Sequence, residues 1–312
     1  MAKPGFIISA HLGQRRQVVE LAVELERRGF PFVFCPHDYS PILNAQGAEP
    51  PPYDALSLCT AVIQATHTIK VGSGIAVTYT RHPAEMAAAA SFNHELSDGR
   101  FILGLGPGHN GILQRYKIPT EKPLTHMKNY TAQVRAAFAD WPQPPIIWAT
   151  LRTKMTTLTG QEADGLLANN WALSQVREQL RVLPPERQSG DYIRGAIVPA
   201  FVGDRSEGLG AIRNVLSFYT TMQNYVEYYH QAGFGESAEV AKAAMAAGDR
   251  DAARAAIPEE MADEMGIVGT ASEVREKVEA WQDAGINWLA LSSLQSSGSQ
   301  YDNILQIARA WD

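Results

Sequence analysis

The sequence predicts an α/β fold: a (β/α)8 TIM barrel with insertions. Two observations carry this. Eight short apolar or β-branched runs alternate with stretches of helical periodicity along the chain. The stretch from Ile69 to Asn110 also reads as strand, loop, helix, turn, strand, loop, a βαβ unit with glycines in or just after both strands. Barrels of this kind take about 250 residues, and insertions account for the excess in a chain of 312. A doubly wound open sheet shares the alternation. However, Gly104, Gly106 and Gly108 are read as leading into Asn110 and Gly111 rather than into a helix start, so a Rossmann dinucleotide site is only weakly supported. A single domain over 1–312 is expected, with a helical insertion at about 207–265.

Phe6–Ser9 is the first strand; Val18–Arg28 follows as a helix, its apolar residues Val18, Leu21, Ala22 and Leu25 at helical spacing. Gly29 stops it and Phe32–Cys35 is the second strand. A long loop with the run Pro50-Pro51-Pro52 leads to a helix over Asp54–Ala65. Ile69–Val77 is the third strand, and its Gly72 and Gly74 mark a bulge or a close backbone approach. Pro83 opens the next helix where its missing N–H costs nothing, and Asp98-Gly99 ends it. Phe101–Leu105 reads as a buried parallel strand. Asn110–Pro123 reads as a loop and Thr125–Ala139 as a helix.

Ile146–Ala149, Gly165–Ala168 and Ala196–Phe201 are strands five to seven, with helices over Lys154–Thr159 and Gln175–Leu183 between them. The alanine-rich stretch from Glu207 to Met265 is helical. Thr270 and Glu273 fit a capping box for a helix running to Asp283. Trp288–Leu291 is the eighth strand and Tyr301–Trp311 the last helix.

Composition narrows the function. The chain is 45% hydrophobic and 19% charged, enough for a full core. Its net charge of −6 argues against nonspecific binding to nucleic acid or anionic membrane. No apolar run approaches the ~20 residues of a membrane span, and the N-terminus lacks a signal peptide's apolar segment. Cys35 and Cys59 lack CxxC spacing and read as reduced core thiols of a cytoplasmic protein. No HExxH, HxH or clustered Cys/His set suggests a metal, and no GxSxG elbow is present.

A barrel carries its chemistry on the loops after its strands. Those loops supply His11 after strand one, and His37 and Asp38 after strand two. Tyr79, Arg81 and His82 follow strand three, and Pro107, His109 and Asn110 follow strand four. Thr150 to Lys154 follow strand five, and Asn169, Asn170 and Trp171 follow strand six.

These residues sit in segments that resemble the bacterial luciferase-like superfamily, home to FMN-dependent monooxygenases and coenzyme F420-dependent oxidoreductases. The segments are TYTRHPAEMAAA and SDGRFILGLGPG in the first half, and PPIIWATLRTKMTTLTGQEADGLLANN and IVGTASEVREKVEAWQDAGINWLAL in the second. TRHP and the GFGE at Gly233–Glu236 are most similar to the F420 branch, which includes methylenetetrahydromethanopterin reductase.

The resemblance implies a ring at the barrel mouth, backed by a bulge with a non-prolyl cis peptide. The matching bond is Gly74–Ile75, followed by Ala76. Gly106, Pro107 and Gly108 match the loop beside the ring edge. Ala149, Thr150, Leu151, Arg152 and Thr153 match the phosphate and ribityl contacts, with Arg152-Thr153 replacing the family's Gly-Pro. Asn110 and Asn169 complete the cofactor candidates, and Arg81 and Lys154 are alternatives for an anionic tail. Relatives often carry Asp-His after strand two where this chain has His37-Asp38, so both are catalytic candidates. His11, Tyr79, His109 and Tyr225 are candidates to line a small-molecule substrate pocket. The function implied is F420-dependent hydride transfer, with an FMN-dependent monooxygenase as the alternative and a non-catalytic flavin-binding relative as a third. A homodimer or larger even assembly is expected from the Asp54–Ala65 helix and the Ala87–Ala90 run.

Overall fold

In a computed structural model of the chain, residues 2–9, 15–37, 53–294 and 299–312 are described. The strands are β1 (Gly5–Ile7), β2 (Phe32–Cys35), β3 (Lys70–Ser73), β4 (Ala76–Val77), β5 (Phe101–Gly106), β6 (Ile146–Thr150), β7 (Gly165–Asn169), β8 (Ile193–Val202), β9 (Ile267–Gly269) and β10 (Trp288–Ser293). All pair in parallel. β1, β2, β3, β5, β6, β7, β8 and β10 follow one another in chain order. β10 then pairs with both β8 and β1, closing an eight-stranded barrel.

Helices pack outside it: α1 (Arg15–Arg27), α2 (Ala55–Ala65), α3 (Pro83–Leu96), α4 (Asn110–Arg115), α5 (Pro123–Phe138), α6 (Thr153–Glu162) and α7 (Val176–Arg181). Between β8 and β9 lie α8 (Arg205–Tyr219), α9 (Gln223–Gln231), α10 (Gly235–Ala246), α11 (Arg250–Ala255) and α12 (Glu259–Glu264). α13 (Ala271–Asp283) and α14 (Gln300–Ala308) complete the ring. Thr270 and Glu273 form the expected reciprocal capping box at α13.

The pleat sorts side chains into two layers. Ile7, Phe32, Phe34, Ile102, Ile147, Leu167, Ile193 and Ala290 fill the barrel interior. Trp288 packs on Phe32, with ring centroids 4.4 Å apart. The alternating residues Phe6, Val33, Phe101, Leu103, Trp148 and Leu166 face outward and meet the helices. Cys35 and Cys59 are free thiols in this outer layer.

The structure departs from the sequence reading at four places. The third strand is two, β3 and β4, interrupted at Gly74-Ile75. The loop expected over Asn110–Pro123 contains the short helix α4. The helix expected from Thr125 begins at Pro123, because proline suits a first helical position. β9 appears between Met265, where the helical stretch was expected to end, and the capping Thr270, where no strand was expected; it pairs with the end of β8, which overhangs the barrel and needs a partner for its backbone.

Candidate active site

The break between β3 and β4 is stitched to both neighbouring strands. The Gly74–Ile75 peptide is cis, as the sequence resemblance implied. The Gly74 N–H donates to the Cys35 carbonyl at 2.9 Å, and the His37 N–H donates to the Ile75 carbonyl at 3.0 Å. On the other side, the Ser73 hydroxyl donates to the Gly104 carbonyl at 2.8 Å and accepts from the Gly104 N–H at 2.9 Å. A Cβ on Gly104 would overlap the Ser73 carbonyl oxygen, so this approach requires glycine. A Cβ on Gly106 would lie 2.9 Å from Ile75 Cδ1 and 3.0 Å from the Ala149 Cβ. Ile75, Gly106 and Ala149 thus meet across three strands as a compact apolar floor.

His37 stands at one edge of this floor, its side chain almost wholly buried and its Nδ1 3.7 Å from Asp54 Oδ1. Asp54 caps α2, accepting from the Ser57 N–H at 2.9 Å, and takes a hydrogen bond from Arg81 Nη2 at 2.9 Å. Burial pushes its pKa up, but the Ser57 bonds, Arg81 and His37 together hold the carboxyl below its usual value. Asp38 and His11 lie outside the described residues.

Tyr79 sits in a 3-10 turn after β4. Its hydroxyl donates to the Glu121 carbonyl at 2.9 Å, and its ring stacks on His126 at 3.8 Å. His126 bonds the Glu121 carboxylate through Nδ1 at 3.0 Å and the Thr78 hydroxyl through Nε2 at 2.9 Å. Burial lifts the Tyr79 pKa.

Across the mouth, His109 lies 5.9 Å from the Tyr225 ring and 6.3 Å from the Tyr219 ring, centroid to centroid. The Asn169 amide donates to both tyrosine hydroxyls at 3.0 Å. Burial pushes the His109 pKa down and the Tyr225 pKa up, so both are neutral near pH 7. Tyr219 and Tyr225 come from α8 and α9, so the helical run after β8 supplies this wall of the mouth.

Ala149 and Thr150 end β6, and Thr153 starts α6. The Thr150 hydroxyl is buried with no hydrogen-bond partner, and so is the Asn170 amide nitrogen at the end of β7. The Leu151 carbonyl accepts from Trp171 Nε1 at 2.8 Å. α6 carries no side-chain cap at its N-terminus. Arg152, at the cap position, reaches away from the helix to an ion pair with Glu227 of α9. Pro107 and Gly108 are partly buried beside the floor, while Asn110 is exposed at the start of α4.

The structure therefore brings His37, Ile75, Gly106 and Ala149 together, and separately His109, Asn169 and Tyr225. Tyr79 is tied to the 121–126 segment instead. The sequence reading missed Asp54, Thr78, Glu121, His126, Tyr219 and Glu227 as mouth residues. Among the described residues no three His, Cys, Asp or Glu side chains could hold a metal ion, and no helix is long and apolar enough to cross a membrane. An uncapped helix end, an unpartnered threonine hydroxyl and an arginine fit a polar, phosphate-bearing chain, and the apolar floor fits a ring.

Known proteins resemble this chain in sequence and in fold. A 5,10-methylenetetrahydromethanopterin reductase of Archaeoglobus fulgidus is 26% identical over 269 residues, spanning 76% of this chain and 80% of that protein. Its counterpart from Methanolobus tindarius is 32% identical over 136 residues, 37% of this chain and less than half (42%) of that protein. Two solved structures share the fold at TM-score 0.74. One is an F420-dependent secondary alcohol dehydrogenase in complex with an F420-acetone adduct, at 16% identity and full coverage of both chains. The other is the coenzyme F420-dependent tetrahydromethanopterin reductase of Methanopyrus kandleri, at 19% identity, covering 99% of this chain and 98% of that one. The oxygenating constituent of 3,6-diketocamphane monooxygenase from Pseudomonas putida, in complex with FMN, shares it at TM-score 0.59 and 17% identity, covering 100% of this chain and 96% of that one. The profile of luciferase-like monooxygenases matches residues 5–287, and by that match the chain belongs to the luciferase-like family.

Proposed function

We propose that this protein is a coenzyme F420-dependent oxidoreductase acting on a small organic substrate. The observation that carries the reading is the apolar floor of Ile75, Gly106 and Ala149, continuous with the polar Thr150–Arg152 corner. One end suits a flat ring and the other a phosphate-bearing chain. The relatives named as F420 enzymes support the choice of cofactor. When bound, the deazaflavin supplies a carbon that takes or gives a hydride.

In this reading the chain's own residues divide the remaining work. Ile75, Gly106 and Ala149 present a close-packed surface that orients the ring and excludes water behind it. Thr150, the α6 amides and Arg152 hold the ribityl and phosphate groups. His37 exchanges a proton with substrate, and neutral His109, with Tyr225 and Asn169, lines the substrate side. The unit is a single barrel domain over 1–312 with a helical insertion at about 207–265, working in the cytoplasm as a homodimer or larger even assembly. The free thiols of Cys35 and Cys59 accord with a reducing compartment. The outer faces of α2 and α3, with exposed Ala61, Ala88 and Phe92, accord with self-association.

Titration of the apo-protein with F420 and with FMN tests the reading. Tighter binding of F420 is expected. Equal or tighter binding of FMN with oxygen-dependent turnover would replace it with the monooxygenase reading, which the FMN-bound fold relative favours.

A further inference from the structure

Asn169 joins the barrel to the wall above it. It ends β7 and pairs in register with Ile197 of β8. Leu167, two residues earlier, points into the barrel, and its partner in register on β6 is Ala149 of the floor. Asn169 therefore points inward too, on the same face as Ala149. Its amide nitrogen donates to the Tyr219 and Tyr225 hydroxyls, both at 3.0 Å, which uses both of its N–H bonds. The Tyr225 hydroxyl is thus held at the inner rim of the barrel, beside the floor. It accepts from Asn169, so its own proton is turned away from the amide, and among the described residues no group accepts it.

His109 completes this edge of the mouth, its ring centroid 5.9 Å from that of Tyr225. Neither side chain has a charged neighbour acting on it. Burial alone lowers the His109 pKa. Burial, Tyr219 and the Asn169 bond account for that of Tyr225. A carboxylate or phosphate set against this wall would lose its water and meet no counter-charge. A carbonyl or hydroxyl oxygen gives up far less and gains the Tyr225 proton.

We infer that the Tyr225 hydroxyl is the hydrogen-bond donor to the oxygen of an uncharged substrate, and that Asn169 is its positioning residue. The inference rests on the reading of this wall as the substrate side of the mouth, and it names the class: a ketone, aldehyde or alcohol rather than an acid or a phosphate ester. A phenol proton prefers the plane of its ring, on one side of the oxygen or the other. The Asn169 amide takes one side, so the proton occupies the side that faces the ligand.

The probe is acetophenone, isotope-labelled at its carbonyl, added to the apo-protein and read by infrared difference spectroscopy. The carbonyl band of the bound ketone is expected at lower frequency in the parent than in Tyr225→Phe. Binding is expected to be about fivefold weaker in that variant, the loss of one neutral hydrogen bond. Asn169→Leu is expected to lose most of the same shift although Tyr225 is present, and adding Tyr225→Phe to it is expected to cost little more. Benzoate, the same ring bearing a carboxylate, is expected to bind about tenfold more weakly than acetophenone to the parent. With circular dichroism showing folded variants, a band unmoved by Tyr225→Phe or additive losses for the two substitutions would overturn the inference. So would the absence of a bound carbonyl band, or benzoate binding as tightly as the ketone. The comparison with benzoate uses the parent protein alone, so it decides the substrate class even where a variant misfolds. The probe needs no cofactor, so the result stands whichever of F420 and FMN the protein binds.

Discussion

Thr78 and His126 are 48 residues apart in sequence and joined by a 2.9 Å hydrogen bond. The bond ties the end of β4 to α5. The same Thr78 hydroxyl donates to the Gly106 carbonyl at 3.3 Å, so His126 indirectly steadies the floor of the mouth. Glu121 holds the other ring nitrogen, and Tyr79 covers the ring face. The outer helix α5 thus acts on this side of the site through the His126 imidazole.

Replacing that imidazole tests its role. His126→Phe keeps the stacking on Tyr79 but leaves the buried Thr78 hydroxyl with only its long bonds to the Gly106 carbonyl and the Met127 sulfur. A stability loss of about 1–3 kcal/mol in urea denaturation is expected. Thr78→Val in the same background is expected to restore part of it, because two apolar partners leave no unmet hydrogen bond. Equal losses in the single and double variants would show that the bond is idle.

His109 sets an acid limb of stability. Its pKa is lowered by burial, so the unfolded chain binds a proton more readily than the folded one. Stability therefore rises with pH through this window. It is intact above about pH 6.5, the unfolded value for histidine, and falls as pH drops below it. The slope from this one group is at most about 1.4 kcal/mol per pH unit. Denaturation midpoints of His109→Asn between pH 5 and 7 are expected to be flatter than those of the parent. Parallel curves would refute the assignment.

Two glycines seven residues apart in sequence, one in β5 and one in α4, make a matched contrast. Gly104→Ala pushes a methyl group into the Ser73 carbonyl and is expected to cost about 3 kcal/mol. Gly111→Ala, in α4 with nothing within 4 Å of the new Cβ, is expected to be neutral or stabilising by about 1 kcal/mol. Thermal melts of the two variants check the pair.

Glu227 and the cofactor's phosphate compete for Arg152 in the proposed function. Arg152→Ala is expected to weaken F420 binding on the order of tenfold, the loss of one charge-assisted contact. Glu227→Gln frees the guanidinium and is expected to tighten binding by a few fold, with a steeper dependence on salt. Fluorescence titration of the deazaflavin reads both. Weaker binding in Glu227→Gln would show that the ion pair shapes the site rather than opposing the ligand.

Phe92 is 57% exposed on α3, one turn from exposed Ala88, and Ala61 of α2 is exposed as well. If these small residues and the ring form the homodimer contact, Phe92→Glu gives a monomer with an unchanged fold. Sedimentation velocity at micromolar concentration distinguishes the species, and a monomeric parent would remove the dimer from the proposal.

Much of the barrel was legible because strands buried on both faces are written as plain apolar runs. Trp288–Leu291 and Phe101–Leu105 are of that kind, and each is seen within two residues of its reading. The glycines at 72 and 74 marked the strand break for the same reason, since little else explains them in a buried strand. β9 was not legible, being three residues whose only cue is the overhang of β8. The divisions of the helical run were not read either, because alanine at almost every turn hides the short breaks. At the site, His37 followed from its place after a strand, and Gly106 and Ala149 from the resemblance to the luciferase-like family. Thr78, Glu121 and His126 did not, because their meeting depends on how α5 docks. Asp54 was legible as the start of a helix but not as a neighbour of His37.

The ten-residue strand β8 has one further consequence. Its last residues pair with β9, Ala200 with Ile267 and Val202 with Gly269, and the Gly203 N–H donates to the Gly269 carbonyl at 3.0 Å. The five helices between them leave and rejoin the barrel at one clasp. Lengthening a loop closed in this way adds only about 0.6 kcal/mol per doubling. The wall bearing Tyr219 and Tyr225 is therefore an exchangeable cassette. A different cap can be spliced between residues 203 and 266, giving the mouth a new lining while the eight strands below keep their register.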